Sequence, residues 1–188
     1  MIRSTLAVTL ALICTLSADA APIGFSGPYD TANWTQSLVN SDGGVNTAGA
    51  PSSISITSGN NGNFLPGETN YTITLPYSGT VSFDWVFTTV DEASFFDPFG
   101  YTVNGVFTQL TSDPVENQSG NASVNLNAGD VFGFRANTID NIFGRSTTVI
   151  SNFAAPVPEP ATLVVFGGIA LAGALGYRRR KVAPTTAA

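Results

Sequence analysis

The central part of the chain alternates apolar and polar residues, and this alternation predicts strands. The clearest run has Val81, Phe83, Trp85 and Phe87 at every second position. A period of two places the apolar side chains on one face of a strand, so that this face is buried. Alternation or short apolar runs recur at 54–56, 71–75, 101–103, 106–110, 122–126, 131–136 and 147–153. We therefore expect about eight strands, with an irregular lead-in up to residue 49 that contains one strand near Trp34.

Short turn sequences separate these runs and indicate how the strands connect. Asn104-Gly105 lies between two apolar runs, and both residues accept the positive φ that a type I′ hairpin turn requires. The segment 127–130, Asn-Ala-Gly-Asp, predicts a second turn. Many short strands separated by Gly, Pro and Asn predict an all-β fold, an antiparallel β-sandwich of jelly-roll type, for residues 21–155.

Residues 1–20 have the features of a secretory signal peptide. Arg3 precedes an apolar run at 6–16, and Ala18 and Ala20 occupy the −3 and −1 positions of a cleavage site for signal peptidase. Cleavage after Ala20 would remove the single cysteine, Cys14, so the exported domain must fold without disulfides. The alternative is an N-terminal helix that stays buried in the fold.

The C-terminal part of the chain has three features in a fixed order. It contains Val157-Pro158-Glu159-Pro160, then the uncharged run 161–177, then Arg178, Arg179, Arg180 and Lys181. As a helix, this run would extend about 25 Å, close to the short limit for crossing a bilayer. Cations that follow such a helix remain in the cytoplasm, so we expect a single transmembrane helix with the domain outside.

Together these features resemble the PEP-CTERM sorting signal of bacterial exported proteins. The resemblance covers residues 156–181 and implies recognition by exosortase, a membrane transpeptidase, with cleavage near Pro158-Glu159-Pro160. It also implies a bacterial cell envelope with a secreted polysaccharide, and a surface protein that its C-terminal helix anchors transiently in the inner membrane. Residues 182–188 would be a short tail. The alternative is an ordinary membrane anchor that is never cut.

The composition excludes several kinds of chemistry. The chain has no His, which rules out His-dependent triads and His-ligated metals. Its one Lys, Lys181, lies outside the exported domain. Within that domain, Arg135 and Arg145 are the only bases. The net charge of −6 argues against nucleic acid as a partner. Paired carboxylates are the remaining common acid–base option, and nothing marks two of them as a pair. We therefore predict no catalytic residues and no enzyme activity.

Residues 97–105 and 134–141 resemble segments of a CUB-type sandwich. In that family an acidic residue before a strand and another in a late loop help to hold calcium. The resemblance therefore implies a calcium site at Asp97 and Asp140, to which we add Glu92. Oxygen ligands are those that Ca²⁺ prefers, and calcium is the one cofactor that we consider. The alternative is that these acids are solvated loop residues.

Four aromatic residues cluster around a turn at 95–101: Phe95, Phe96, Phe99 and Tyr101. They allow two interpretations, a loop that stacks on sugars or binds a partner, and a set of side chains that anchor the turn in the core. The function that these observations favour is a non-catalytic surface or matrix protein associated with exopolysaccharide. A calcium-assisted carbohydrate-binding module is the second hypothesis, and a carboxylate-dependent hydrolase is the third.

Overall fold

The computed structural model describes residues 23–157. Two short 3₁₀ turns, Gly27–Tyr29 and Thr31–Asn33, precede ten strands in this range. The strands are β1 (Thr35–Val39), β2 (Gly44–Asn46), β3 (Ser53–Thr57), β4 (Gly67–Thr74), β5 (Gly79–Thr89), β6 (Phe99–Val103), β7 (Val106–Gln109), β8 (Asn117–Leu126), β9 (Val131–Thr138) and β10 (Ser146–Ala154).

The strands form two five-stranded sheets. Sheet A has the order β1-β4-β9-β6-β7, and sheet B has the order β2-β3-β10-β5-β8. Every pairing between neighbouring strands is antiparallel. From β3 to β10 the chain passes from one sheet to the other at each step except the β6–β7 hairpin. These observations confirm the all-β antiparallel β-sandwich, and its jelly-roll type stays a prediction.

Aromatic side chains fill the space between the sheets. Phe83 of β5 meets Phe134 of β9 edge to face, with ring centroids 4.9 Å apart. Trp34 stacks on Tyr71 and on Phe134 at 5.0 and 5.5 Å. Each buried aromatic ring removes about 150–250 Å² of surface from water, so a few of them supply much of the stability of a small domain. This core explains how an exported domain without cysteine holds together.

The lead-in before residue 49 contains two strands where the sequence predicts one. β1 pairs with β4 at one edge of sheet A, and β2 pairs with β3 at one edge of sheet B. All residues of β1 are exposed, so this strand has no alternating pattern to detect. Trp34 precedes β1 and is buried, with its Nε1 donating a hydrogen bond to the Tyr29 carbonyl at 3.1 Å.

The two predicted turns are present. Asn104 and Gly105 have φ values of 50° and 84° and join β6 to β7, as a type I′ hairpin requires. The turn at 127–130 joins β8 to β9, and the Asp130 N–H donates to the Asn127 carbonyl at 3.1 Å. At both positions the local sequence alone was sufficient, because these turns depend on a few consecutive residues.

The two ends of the sandwich differ in what they connect to. The proximal end is the one where β10 finishes, and there the Tyr29 hydroxyl donates to the Pro156 carbonyl at 2.7 Å. The distal end holds the loops at 40–43, 58–66, 90–98, 110–116 and 139–145. The segment that continues into the C-terminal part of the chain therefore leaves from the proximal end.

Several predictions concern residues outside the described range. These are the signal peptide with Ala18 and Ala20, the motif residues Pro158, Glu159 and Pro160, the apolar run, and the basic cluster from Arg178 to Lys181. Val157 is described and is 38% exposed. Between residues 23 and 157, no helix is long and apolar enough to span a membrane.

Candidate ligand-binding site

Polar side chains converge around Arg135 on the outer face of sheet A. Phe134 and Ala136 of β9 face the core, so Arg135 projects from the opposite face. Its Nε donates to Asn70 Oδ1 at 2.6 Å, and its Nη1 donates to Glu68 Oε1 at 3.0 Å. Asn70 lies directly opposite Arg135 in the β4–β9 register. The register of the two strands therefore builds this cluster.

An aromatic ring completes the cluster on the side of β7. The guanidinium carbon of Arg135 lies 5.7 Å from the centre of the Phe107 ring. Gly100 of β6 lets the β7 backbone and this ring approach closely, because a Cβ there would clash with the Thr108 carbonyl oxygen and would lie 2.9 Å from Phe107 Cε2. A glycine within a strand commonly marks such a close approach. We call the outer surface formed by Glu68, Asn70, Phe107, Gln109 and Arg135 the A-face.

A groove of about 560 Å³ adjoins the A-face. Its volume lies in the range of small-ligand pockets, about 300–1,000 Å³. Glu68, Phe107, Gln109 and Asn137 supply polar and aromatic lining, and Val39, Pro66, Pro98 and Ile139 supply apolar lining. Asn137 Oδ1 is buried and has no hydrogen-bond partner among the described residues.

The charges of this site compensate each other. The side chains of Arg135 and Glu68 are 17% and 35% exposed and form an ion pair. The remaining groups are neutral amides and a phenyl ring, which provide hydrogen bonds and an apolar surface. The arrangement therefore suits a neutral, hydroxyl-rich ligand, since a free anion or cation would find no uncompensated partner.

Asp97, a predicted calcium ligand, is fully buried at the distal end. Its Oδ1 accepts a hydrogen bond from the Ser58 hydroxyl, and its Oδ2 accepts one from the Thr89 hydroxyl, both at 2.7 Å. Burial raises the pKa of the carboxyl to about 6, against the opposing effect of the two hydroxyl donors. Asp97 thus fastens the loop before β6 to the ends of β3 and β5 in sheet B.

The other two predicted calcium ligands have different surroundings. Glu92 is exposed, and Asp140 is half-buried and accepts from the Ile142 N–H at 3.2 Å. In the described range, no three Asp, Glu, Cys or His side chains are grouped so that they could hold a metal ion. At Asp97, both carboxylate oxygens already accept hydrogen bonds from hydroxyl groups. Calcium binding by Glu92, Asp97 and Asp140 stays a prediction.

Asp91 is a buried acid that the sequence analysis did not select. It is 4% exposed, and its Oδ2 has no hydrogen-bond partner within residues 23–157. Burial raises its pKa, and the nearby charges of Asp140 and Glu92 raise it further. Its position at the end of β5 was visible in the sequence, whereas its burial depends on loops from distant parts of the chain.

The predicted aromatic loop is divided between the core and the surface. Phe99 is fully buried, and Tyr101 is half-buried with its ring 6.1 Å from that of Phe132. Phe95 is 49% exposed and contacts Phe96 edge to face, with the ring centroids 5.3 Å apart. The four residues therefore do not share one surface, because Phe99 and Tyr101 belong to β6 and face inwards. Ligand binding by Phe95 and Phe96 stays a prediction.

Residues 156–181 match the PEP-CTERM protein-sorting motif. The chain carries a PEP-CTERM sorting signal. The match begins at Pro156, whose carbonyl is held by the Tyr29 hydroxyl at the proximal end. This motif implies an exported protein that exosortase processes and that is sorted to the cell surface. The match to the sorting motif therefore begins within the described residues, directly after β10. No curated protein sequence matches the chain.

Among solved structures, similar chains include a family 35 carbohydrate-binding module from Clostridium thermocellum, at 19% identity and a TM-score of 0.36. That match covers 61% of this chain and 90% of the module. A family 61 module in complex with β-1,4-galactotriose is 12% identical with a TM-score of 0.36, over 71% of this chain and 96% of that one. A cycloisomaltooligosaccharide glucanotransferase from Paenibacillus is 14% identical with a TM-score of 0.34, over 62% of this chain and 17% of the enzyme.

Proposed function

We propose that this is an exported, exosortase-sorted protein of the cell surface or extracellular matrix, with a non-catalytic β-sandwich that associates with exopolysaccharide. The sorting motif at 156–181 supports the destination. The neutral cluster around Arg135, with its adjoining groove, is the observation that supports the ligand class. The sorting motif and the neutral cluster point to the same ligand, because an exosortase-sorted domain is delivered to the compartment in which secreted polysaccharide is found.

The proposed processing has two steps. Signal peptidase cuts after Ala20, and exosortase later cuts near Pro158-Glu159-Pro160, so the C-terminal helix holds the protein in the inner membrane only transiently. The Tyr29–Pro156 hydrogen bond supports a cut beyond Pro156, because the chain up to that residue is part of the fold. Intact-mass measurement in cells with and without exosortase tests this proposal. Retention of Arg178 to Lys181 in both strains would contradict it.

The chemistry of the A-face supports a neutral sugar polymer. Hydroxyl groups of a sugar can exchange hydrogen bonds with the Gln109 amide, and the C–H face of a pyranose ring can lie on Phe107. Both arginines in the described range, Arg135 and Arg145, are paired with carboxylates. An acidic polymer would therefore meet no free cation on the described part of this domain, and at the A-face a neutral polymer meets no unpaired charge.

Binding measurements on a glycan array test this ligand class. We expect the wild-type protein to bind at least one neutral polysaccharide, and Phe107→Ala to weaken that binding. Val106→Ala is the matched control, since Val106 is the neighbouring residue on β7 and is 70% exposed. Equal losses in the two variants, or no binding by the wild type, would contradict the proposal.

Calcium-assisted carbohydrate binding is the second candidate, and one observation favours it. Asp91 Oδ2 is buried without a partner in the described part of the chain, close enough to Asp97 and Asp140 for their charges to interact. A cation held by Asp97 and Asp140, with Glu92 at the rim, would relieve this repulsion. Calcium should then raise the melting temperature of the wild type but not that of Asp97→Asn. An unchanged melting temperature with chelator would exclude the site.

A further inference from the structure

We propose that Phe64 and Phe143, two exposed residues of the distal loops, form a second contact for a neutral polysaccharide. This inference rests on the proposed function, because it takes the same polymer as ligand. It goes beyond the A-face, since neither ring lines the groove there. We call these two rings the distal platform.

Both phenylalanines combine exposure with an unusual backbone. Phe64 is 70% exposed at φ 61°, and Phe143 is 77% exposed at φ 65°. A bulky residue in the left-handed region is an outlier that costs free energy. Neither ring repays that cost by packing, because most of its surface meets water. Strain of this kind persists where the surroundings enforce it, and it tends to cluster at functional sites.

Asn141 enforces the conformation of the loop that holds Phe64. This residue is fully buried, and its Nδ2 donates to the Asn40 carbonyl at 2.8 Å and to the Leu65 carbonyl at 2.7 Å. Its own carbonyl accepts a hydrogen bond from the Gly62 N–H at 2.8 Å. Asn141 also lies two residues before Phe143, so one buried side chain anchors both segments.

A second amide reinforces this arrangement. Asn40 Nδ2 donates to the Pro66 carbonyl at 2.8 Å and to the Leu65 carbonyl at 3.3 Å. Asn63 Oδ1 accepts from the Leu65 N–H at 2.9 Å. The loop at 59–66 is therefore held by hydrogen bonds, while its apolar side chains remain free. A surface that is ordered before binding loses less entropy when a ligand arrives.

The position of the distal platform favours a polymer that is already bound at the A-face. Pro66 and Gly67 follow Phe64 and line the groove, together with Ile139 from the loop that holds Phe143. A chain that fills the groove and continues past Pro66 would reach the platform. A short oligosaccharide would fill the groove alone. The platform thus predicts a preference for long chains.

The chemistry of the distal platform favours a neutral sugar over an anionic membrane. The nearby cation, Arg145, is paired with Asp42 at 2.8 Å, and the exposed polar groups next to Phe64 are the amides of Asn61 and Asn63. The platform also lies at the end opposite Pro156, where the sorting segment starts. It is therefore separated by the length of the sandwich from the point at which the chain leaves the described domain.

The experiment compares Phe64→Gly, Phe143→Gly and the double variant with the wild-type protein released from cells. Glycine adopts a positive φ without strain, so each change removes a ring and suits the backbone. The probes are neutral glucan, galactan and mannan, each as an intact polymer and as a trisaccharide, with alginate as the acidic polymer. Val106→Ala is the control for loss of an exposed apolar side chain at the proximal end.

We expect the double variant to lose at least about tenfold in affinity for the polymer that the wild type binds, as for truncation of a central aromatic contact. Its affinity for the trisaccharide and its melting temperature should not fall. Unchanged polymer binding in the double variant, with loss in Phe107→Ala, would overturn the platform and leave the A-face proposal standing. No binding of any neutral probe by the wild type would overturn both. A lowered melting temperature, or altered sedimentation in the variants, would show that the rings serve the fold or self-association.

Discussion

The outer faces of the two sheets are built on the same strand geometry and differ in what they present. The A-face has an ion pair, a phenyl ring and amides beside a groove. The equivalent surface of sheet B, the B-face, shows short side chains: Ser82, Asp84, Val86, Thr147 and Val149. Long side chains can converge from three strands, whereas short ones stand apart. A β-sandwich therefore acquires a binding face by the choice of a few outward residues.

The largest effect should come from the centre of the A-face. Arg135→Ala removes both charge-assisted hydrogen bonds and leaves Glu68 without its cationic partner. Each hydrogen bond to a charged group contributes about 1.5–3 kcal/mol to stability, so the arrangement of the A-face should be lost. We expect affinity for the neutral polymer to fall by about a hundredfold, measured by calorimetry. Asp84→Ala, a charged position on the B-face, is the control. If the two substitutions weaken binding equally, the distinction between the faces fails.

The next largest effect is expected from Gly100, which lies close to the Phe107 ring. In Gly100→Ala the new Cβ would clash with the Thr108 carbonyl oxygen and press on Phe107, so β7 must shift and the ring must move with it. Overpacking of this kind destabilises by about 1–3 kcal/mol, and we also expect weaker polymer binding. Gly44→Ala in β2 is the control, because a Cβ there meets no atom within 4 Å. Thermal unfolding of the two variants measures the difference, and a milder effect at position 100 would refute the packing argument.

A smaller effect is expected from Asp97, whose carboxylate holds the loop at 90–98 to the ends of β3 and β5. Burial raises the folded-state pKa of Asp97 to about 6, above its unfolded value, so the folded state binds the proton more tightly. This contribution to stability is present at low pH and is lost as the pH rises through 6. Between pH 5 and pH 7 the loss should be about 1 kcal/mol.

Denaturant titrations of the wild type and of Asp97→Asn at both pH values measure this contribution. The amide does not titrate, so the difference between the two pH values should shrink in the variant. A wild-type protein that becomes more stable from pH 5 to pH 7, with the same trend in Asp97→Asn, would contradict the assigned pKa.

The smallest effect should be seen on the B-face. Val86→Thr and Val149→Thr change exposed side chains on the outer face of sheet B. Surface changes of this kind usually alter stability by less than about 0.5 kcal/mol, and we expect unchanged polymer binding. A clear loss of binding in the same polymer assay would mean that the B-face also contacts the ligand.

Local sequence predicted the parts of the fold that depend on neighbouring residues. The run from Val81 to Phe87 is β5, Trp85 is in the core, and Asn104-Gly105 is the hairpin turn. The all-β sandwich followed from such signals. β2 was missed because it is a three-residue strand, too short to show a periodic pattern.

The candidate site could not be predicted in the same way. Glu68 and Arg135 are 67 residues apart in the chain, and only the β4–β9 register brings them together. The sequence gives no sign that Asp97, a predicted calcium ligand, is buried against two hydroxyl groups at the ends of β3 and β5. Burial of a loop acid depends on which distant loops cover it, and a single sequence does not contain that information.

Hydrogen exchange on the protein released from cells, with and without the neutral polymer it binds, tests the central claim most directly. We predict slower exchange in β4, β7 and β9 around Glu68, Phe107 and Arg135 on addition of polymer, and no change in the outward-facing segments of β3 and β10. Protection confined to sheet B, or no protection anywhere in the domain at saturating polymer, would contradict the assignment of the A-face as the polysaccharide-binding surface.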